Sequence, residues 1–213
     1  GMPYSDPLAD GLTIQQSSDK ALRNGLNLNI LFDSIVKARK TATIPIIMMG
    51  YFNQLLQFGV EKFLERAQLA GVDGMIIPDL PMDIYEEQYQ SLFTEYGISL
   101  SFLITPMTSE KRILQADRLS EGFIYMVSQT SITGKKGDIS KAQLEYFDRI
   151  AHMQLSTPRL IGFGIHDSDT YQMACKYADG AIIGSAFIRA LSNATDIVDI
   201  TREFVHSIKG TPS

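Results

Sequence analysis

The feature that most constrains the fold is a regular alternation of apolar, strand-like runs with helical patterns from residue 43 to the end of the chain. Strands are predicted at residues 43–52, 73–81, 98–106, 122–128, 158–165 and 179–187. The helices that follow them are predicted at 59–70, 82–96, 109–119, 141–152, 167–177 and 193–208. Because the strands are apolar along their length, they are typical of a parallel sheet buried inside a layer of helices.

Ahead of these units, residues 14–40 predict two helical pieces with a break at Asn24-Gly25. A TIM (β/α)8 barrel needs eight βα units, whereas the sequence shows six, preceded by a loop and helix of the kind that would follow a seventh. We therefore expect a single α/β domain over residues 1–213. It would be a partial TIM barrel that lacks its first one and a half to two βα units and retains six complete ones.

Composition excludes several classes of protein. A net charge of -5 and a pI near 5.2 argue against a nucleic-acid partner and against an anionic membrane, since both require a basic surface. The longest apolar run, at 44–52, is too short to cross a bilayer, and the first residues lack the pattern of a signal peptide. With Cys175 as the single cysteine, which we interpret as a packing residue of a helix, we expect a cytoplasmic protein.

The segment YSDPLADGLTIQQ at 4–16 is the first candidate for chemistry. It contains a proline, a glycine and the two carboxylates Asp6 and Asp10, a composition that predicts a loop. Thr13 is expected to cap a helix that begins at Ile14. Asp6 and Asp10 could also be ordinary turn residues, because aspartate is common in turns.

Glycines at the tips of the last two strands predict a phosphate site. They occur in GFGI at 162–165 and in Gly184-Ser185, and barrels of this type bind phosphate in the loops after their last two strands. The alternative is that both tips are only tight turns. Gly134 lies in a long loop after the fourth predicted strand, where a mobile lid is expected.

The active sites of such barrels lie at the carboxyl ends of the strands. Polar groups at those ends are Tyr51, Asn53, Asp79, Thr105, Tyr125 and Ser128, and an apolar floor would be formed by Met49, Ile76, Ile104, Phe163 and Ile182. Together with a phosphate site, this floor favours a phosphorylated substrate with a flat apolar part. Asp79 is as plausibly a cap as a base, and no two histidines have the spacing of metal ligands, so we expect no metal.

Six motifs in order, YSDPLADG with a downstream TIQ, IPIIMMGYFN, GVDGMIIPDLP, GFIYMVSQTSITG, GFGI and GAIIGSA, resemble the tryptophan synthase alpha subunit over the whole chain. This family consists of lyases of tryptophan biosynthesis that cleave indole-3-glycerol phosphate by a retro-aldol reaction to indole and glyceraldehyde 3-phosphate. The resemblance implies an alpha2beta2 assembly with a beta subunit. Pyridoxal phosphate is expected only in that partner, and no cofactor is expected in this chain.

The resemblance also assigns residues. Asp10 would act at the indole nitrogen, Tyr125 would border the substrate near the catalytic acid, and Thr133 of the lid would meet Asp10. The phosphate binders would be Gly134, Gly164, Gly184 and Ser185, and the indole pocket would be Met49, Ile76, Ile104, Phe163 and Ile182. Asp6, Pro7 and Asn53 match positions that face the beta subunit.

The sequence departs from the family pattern in one catalytic group. The glutamate that serves the family as general acid and base would fall two residues before Gly1, so we expect an N-terminally truncated fragment that is inactive alone. Leu12, Gln54 and Ser131 replace residues that are usually Pro, Pro and Gly, which are tolerable loop changes. Two alternatives are a non-catalytic regulatory partner of a beta subunit and another phosphate-binding barrel isomerase, although the SDPLADG loop speaks against the isomerase.

Overall fold

The computed structural model describes residues 1–5, 10–128, 141–162, 164–192 and 194–210. The chain divides into two compact units. The first comprises Gly1–Phe102 with Arg118–Gly122, and the second comprises Leu103–Asp117 with Phe123–Ser213. Within the described ranges, no helix is both long and apolar enough to span a membrane.

The first unit contains a parallel sheet of three strands in the order β1-β2-β3. Its strands are β1 (Ile47–Met49), β2 (Gly74–Ile76) and β3 (Ser99–Ser101). Its helices are α1 (Leu12–Arg23), α2 (Leu28–Arg39), α3 (Phe52–Phe58), α4 (Val60–Ala70), α5 (Met82–Ile84) and α6 (Gln90–Glu95), with a π-helical segment (Tyr85–Tyr89) between the last two. Helices follow both β1 and β2, as the alternation of the sequence predicts.

The core of the first unit is aromatic where α2 meets α4. Phe32 and Phe63 are fully buried and pack edge to face, with ring centroids 5.2 Å apart. The break before α2 is also confirmed, because Gly25 has a φ of 84°, a conformation that favours glycine and ends α1. The side chain of Asn27 then accepts a hydrogen bond from the N–H of Ile30 at 3.1 Å and starts α2.

The second unit contains a parallel sheet of four strands in the order β4-β5-β6-β7. Its strands are β4 (Leu103–Ile104), β5 (Ile124–Val127), β6 (Arg159–Gly162) and β7 (Gly180–Ile182). Its helices are α7 (Glu110–Leu119, whose last two residues belong to the first unit), α8 (Lys141–His152), α9 (Ser168–Ala174), α10 (Ser185–Ser192) and α11 (Ile197–Lys209). Ile113 of α7, Met126 of β5 and Ile150 of α8 are fully buried.

An Asp-Gly pair begins one strand in each sheet, and both aspartates make the same contacts. The N–H of Asp73 donates to the carbonyl of Ile46 at 3.0 Å, and its carboxylate accepts from the N–H of Ile46 at 2.7 Å. The N–H of Asp179 donates to the carbonyl of Arg159 at 2.9 Å, and its carboxylate accepts from the N–H of Arg159 at 2.8 Å. The side chain of Arg39 pairs with Asp73, and that of Arg159 pairs with Asp179. Each reciprocal pair of bonds fixes the start of the preceding strand.

The carboxylate of Asp117, near the end of α7, fixes the connection that leads into β6. It accepts hydrogen bonds from the N–H groups of Ser156 at 3.1 Å and Thr157 at 2.8 Å, and from the hydroxyl of Ser156 at 3.1 Å. Burial raises the pKa of Asp117, but the hydrogen bonds from Ser156 and Thr157 outweigh it and hold the pKa below its ordinary value of 3.8. The charged form of Asp117 therefore stabilises the folded state.

We expect the stability advantage of the parent chain over Asp117→Asn to depend on pH. Because the folded pKa of Asp117 is lowered, its contribution is present above about pH 4 and is lost as the pH falls through the lowered value. Urea unfolding of both proteins at several pH values measures this difference. Asp19→Asn, which removes an exposed ion pair with Arg23 on α1, is the control. A difference for Asp117→Asn that is the same at all pH values would contradict the expectation.

The start of α1 was predicted incorrectly. The helix begins at Leu12 rather than Ile14, and Thr13 lies inside the first turn instead of capping it. Gly11 is the residue before the helix, and its carbonyl accepts from the N–H groups of Ile14 at 3.0 Å and Gln15 at 3.1 Å. Backbone bonds alone begin α1, because no side chain caps it.

Two helices, α3 and α10, begin in segments that were predicted as the ends of strands. Both continue through residues for which the sequence predicted no element. Phe52 begins α3 instead of ending the strand predicted at 43–52, because the carboxylate of Asp79 accepts from its N–H at 2.8 Å. Residues from Ser185 form α10 instead of ending the strand predicted at 179–187. A short apolar run can form either a strand or a helix, so hydrophobic periodicity does not distinguish the two at these positions.

Three further expectations are corrected. The strand predicted at 98–106 is interrupted at Phe102, whose N–H donates to the hydroxyl of Ser120 at 3.1 Å instead of continuing a ladder. The last helix begins at Ile197 rather than residue 193, because the Asp196 side chain caps it. Cys175 is exposed at the end of α9, so the interpretation of this thiol as a packing residue was wrong.

Candidate active site

Asp10 lies two residues before α1 and is half-buried. Its Oδ2 accepts a hydrogen bond from the hydroxyl of Tyr51 at 3.1 Å, and its carbonyl accepts from Nε2 of Gln15 at 2.7 Å. Tyr51 is buried and follows β1 by two residues. Among the described residues, Tyr51 is the side chain that hydrogen-bonds to the Asp10 carboxylate, so the orientation of that carboxylate is set from the end of β1.

The first turn of α3 holds the segment that precedes Asp10. Nδ2 of Asn53 donates to the hydroxyl of Tyr4 at 3.0 Å, and Nε2 of Gln54 donates to the carbonyl of Pro3 at 3.0 Å. The rings of Tyr4 and Tyr51 are in contact, with centroids 5.1 Å apart. Gln54, which the sequence showed only as a tolerable change from proline, therefore binds this segment. Asn53 is exposed, as a residue at a partner surface must be.

At the carboxyl ends of β1 and β2, Met49 and Ile76 occupy paired positions. Paired residues on parallel strands project from the same face, so these two predicted pocket residues lie side by side. Ile76 is buried and Met49 is half-buried. Asp79, which could have been a base, instead caps α3 through the N–H of Phe52 at 2.8 Å.

The glycine tips of β6 and β7 lie at equal depth in the second sheet. Gly162 is paired with Ile182, so Gly164 and Gly184 each follow a paired residue by two positions. Gly164 has a φ of 81°, a conformation that side chains disfavour. Ser185 is the first residue of α10, and the carbonyl of Gly184 accepts from the N–H of Ile188 at 3.1 Å. Unpaired N–H groups at such a helix start favour an anion.

Tyr125 lies against Gly162 on the neighbouring strand. A Cβ atom added at Gly162 would be 1.9 Å from Cε2 and 2.3 Å from the hydroxyl oxygen of Tyr125, so the ring occupies the space of the missing side chain. The hydroxyl of Ser128, the residue after β5, donates to the carbonyl of Gly162 at 2.9 Å and holds the same stretch of β6. Tyr125 is buried in this position.

Strand register separates the predicted pocket residues of this sheet into two groups. Tyr125 shares a face with Val127, and Val127, Gly162 and Ile182 are paired in succession. Ile104 is paired with Met126, which alternates with Tyr125 and so projects from the opposite face. The register therefore places Ile182 with Tyr125 and does not place Ile104 with them.

An apolar cleft of about 270 Å³ lies between β7 and the helices that follow it. Its lining includes Ala181 and Ile183, which alternate with Ile182 along the chain and so face the helical layer. Phe187 and Phe204 form one wall, with ring centroids 5.3 Å apart. This cleft is on the helical side of the sheet and is separate from the glycine tips.

The remaining predicted site residues cannot be placed, and the prediction of no metal site concerns a separate point. Asp6, Pro7, Thr133, Gly134 and Phe163 are outside the described ranges. Within those ranges, no three His, Cys, Asp or Glu side chains form a group that could hold a metal ion.

Comparison with known proteins identifies the family. A family profile described as "Tryptophan synthase alpha chain" matches residues 1–209. The chain belongs to the tryptophan synthase alpha chain family. It is 52% identical over 194 residues to the Flavobacterium johnsoniae tryptophan synthase alpha chain, covering 91% of this chain and 77% of that one. It is 50% identical to the Christiangramia forsetii alpha chain over 210 residues, which cover 98% and 81% of the two chains.

Solved tryptophan synthase structures share the fold. In the Pyrococcus furiosus tryptophan synthase complex, the matching chain is 30% identical with a TM-score of 0.88, covering 98% of this chain and 84% of that one. The fold class is therefore that of the tryptophan synthase alpha TIM barrels, and the prediction of a partial barrel is confirmed by seven parallel strands among the described residues. Membership of the family places the chain among the lyases of tryptophan biosynthesis.

Proposed function

We propose that this chain is an alpha subunit that cleaves indole-3-glycerol phosphate to indole and glyceraldehyde 3-phosphate. The observation that carries the proposal is Asp10, a half-buried carboxylate held by Tyr51 in a chain of the tryptophan synthase alpha family. A carboxylate in this environment can accept the proton of an indole N–H. Its loop is also the most specific motif in the sequence.

The substrate would be held at its two ends. The phosphate would be bound by backbone N–H groups at Gly164, Gly184 and Ser185, with Gly134 as a further binder. Equal depth of the β6 and β7 tips and the start of α10 support this part of the proposal. The indole would contact Met49, Ile76, Phe163 and Ile182, with Tyr125 bordering the reacting atoms and Thr133 meeting Asp10. The family resemblance adds Ile104 to this pocket, but the strand register does not place Ile104 beside Tyr125. The pairing of Met49 with Ile76 supports the apolar side.

The reaction requires two proton transfers besides the one at nitrogen. A proton must be added to the ring carbon that carries the glycerol chain, and another must leave the glycerol hydroxyl as the carbon–carbon bond breaks. Asp10 would take the nitrogen proton and return it when the aromatic ring is restored. The family's second carboxylate falls two residues before Gly1, and each positioned proton transfer contributes about 10²- to 10⁴-fold in rate. We therefore propose that the 213 residues alone do not turn over usefully.

The partner proposed for this chain is a tryptophan synthase beta subunit in an alpha2beta2 assembly. The Pyrococcus furiosus relative is described as part of an α2β2 tryptophan synthase complex, and Asn53 is exposed at the start of α3. Asp6 and Pro7 would face the same partner. Pyridoxal phosphate would be held by the beta subunit and no cofactor by this chain. The single cysteine and the family support a cytoplasmic location.

Turnover measurements separate this function from its alternatives. The test protein carries the N-terminal segment of the Flavobacterium johnsoniae relative before Gly1 and is assayed for indole release with and without a beta subunit. We expect indole release from this fusion and little from the 213 residues alone. A regulatory partner would raise beta-subunit activity without releasing indole, and an isomerase would consume a phosphorylated sugar without releasing indole. Either result would overturn the proposal.

Phosphate binding can be tested at a single glycine. Gly184→Leu places a bulky side chain at the start of α10, so we expect it to weaken glycerol 3-phosphate binding at least tenfold, about 1.4 kcal/mol. Calorimetric titration measures the affinity, and a thermal melt verifies that the variant is folded. An unchanged affinity in a folded variant would remove this glycine from the site.

A further inference from the structure

His166 bridges two acceptors beside the tip of β6. Its Nδ1 lies 2.7 Å from the carbonyl oxygen of Gly164, and its Nε2 lies 3.2 Å from Oδ2 of Asp167. Neither the sequence patterns nor the family resemblance gave this histidine a role. The imidazole therefore connects the glycine of the proposed phosphate site to the residue that caps α9.

The chemistry of the two acceptors defines what the ring must do. A carbonyl and a carboxylate only accept hydrogen bonds, so each contact requires an N–H of the ring. The protonated imidazole donates to both, whereas the neutral ring donates to one of them. Asp167 is itself fixed, because its Oδ1 accepts from the N–H of Thr170 at 2.9 Å. The ring is thus anchored at one end and holds Gly164 with the other.

Gly164 needs such a restraint. Glycine is the most flexible residue, and here its φ is 81°. In a planar trans peptide, the C=O of Gly164 and the N–H of Ile165 point in opposite directions. When His166 holds that carbonyl, it fixes the peptide plane and so the direction of the next N–H. A backbone anion site depends on such fixed N–H groups.

A protonated ring would act in the same sense through its charge. The carboxylate of Asp167 lies three residues from Gly164, where a negative charge would repel a bound phosphate. At 3.2 Å, a protonated His166 offsets that charge. Orientation, and charge when the ring is protonated, therefore both favour an anion at this tip.

We propose that His166 is a positioning residue of the phosphate site, holding the peptide between Gly164 and Ile165 so that the N–H of Ile165 faces a bound phosphate monoester. The inference rests on the proposed function, since it requires a phosphate at the tips of β6 and β7. It adds a side chain to a site otherwise composed of backbone N–H groups and Ser185.

Three substitutions of His166 distinguish the contact of its ring with the Gly164 carbonyl from its contact with the Asp167 carboxylate. His166→Ala removes both. His166→Asn leaves an amide N–H that can reach the Gly164 carbonyl, as asparagine does in local turns, whereas His166→Gln extends toward Asp167. The matched control is His152→Ala, because Nδ1 of His152 also lies 2.7 Å from a backbone carbonyl, that of Asp148 in α8.

Affinity for inorganic phosphate and for glycerol 3-phosphate is measured by titration calorimetry. We expect roughly fivefold weaker binding for His166→Ala and His166→Gln, the effect of one lost hydrogen bond, with His166→Asn within about twofold of the parent and His152→Ala unchanged. In the active fusion, His166→Ala should raise KM with little change in kcat, since the phosphate contact is the same before and during reaction.

The outcomes are distinguishable. Parent affinity that persists in a folded His166→Ala overturns the role of His166 and leaves the phosphate site standing. Equal losses in Ala, Asn and Gln also overturn it, because they show that the carbonyl contact is not what matters. If the parent binds neither phosphate nor glycerol 3-phosphate, the phosphate site itself fails, and this inference fails with it.

Discussion

Replacing Asp10 with asparagine in the active fusion is expected to lower the rate of indole release by about 10²- to 10⁴-fold, the usual contribution of one positioned proton transfer. Asparagine keeps the shape and can still accept the hydrogen bond from Tyr51 seen at 3.1 Å, but it cannot take the indole proton. Steady-state indole release measures the effect, and glycerol 3-phosphate affinity should be unchanged.

Tyr51→Phe is the matched control for this experiment. It removes the hydrogen bond that orients the carboxylate but leaves the base in place, so we expect a smaller loss, about tenfold. If Asp10→Asn retains most of the activity, or if Tyr51→Phe is the more damaging change, then Asp10 is not the group that moves the proton.

A side chain at Gly162 is expected to cost more stability than any other change considered for the second sheet. An added Cβ would be 1.9 Å from Cε2 of Tyr125, so Gly162→Ala must displace a buried ring, at a cost of about 1–3 kcal/mol, and Gly162→Val should cost more. Urea unfolding measures the loss. Gly180→Ala is the control, because its nearest neighbour is the flexible end of Leu160 at 3.0 Å.

A second substitution identifies Tyr125 as the cause. When Gly162→Ala is combined with Tyr125→Ala, the ring that would collide with the new methyl group is gone. The losses in free energy of unfolding caused by the two single substitutions should therefore not add. In Gly162→Ala combined with Tyr125→Phe the ring remains, and the loss should persist. If the losses in free energy of unfolding from Gly162→Ala and Tyr125→Ala simply add, then Gly162 is needed for a reason other than the space taken by the Tyr125 ring.

Much of the architecture could be predicted because it depends on periodicity. Parallel strands followed by helices, the break at Gly25 and the helix at 141–152 all follow from apolar spacing and from the position of glycine. The equal depth of Gly164 and Gly184 was also implied, since both end strands of the same kind. Local pattern was sufficient for these features.

Features that depend on contacts distant in sequence could not be predicted in the same way. Asp10 and Tyr51 are 41 residues apart, and nothing near either residue indicates that they are bonded. Asp79 caps α3 from 27 residues away, so the start of that helix at Phe52 is set by tertiary structure. No sequence pattern indicated a role for His166, because its partners are a backbone carbonyl and a capping carboxylate, and both are common in turns.

The Asp-Gly pairs that begin β2 and β7 also affect how fast the protein is chemically modified during storage. Aspartate followed by glycine converts to isoaspartate when the glycine nitrogen attacks the side-chain carboxyl. At Asp73 and Asp179 that carboxyl is engaged by backbone N–H groups and the following glycine is buried, so conversion there requires the sheet to open. Asp10 has the same neighbour, but Gly11 is exposed with nothing within 4 Å of its Cβ position. The aspartate proposed to carry the chemistry is thus the one of the three that is followed by an exposed glycine, and the stored active fusion should lose indole release before it loses structure.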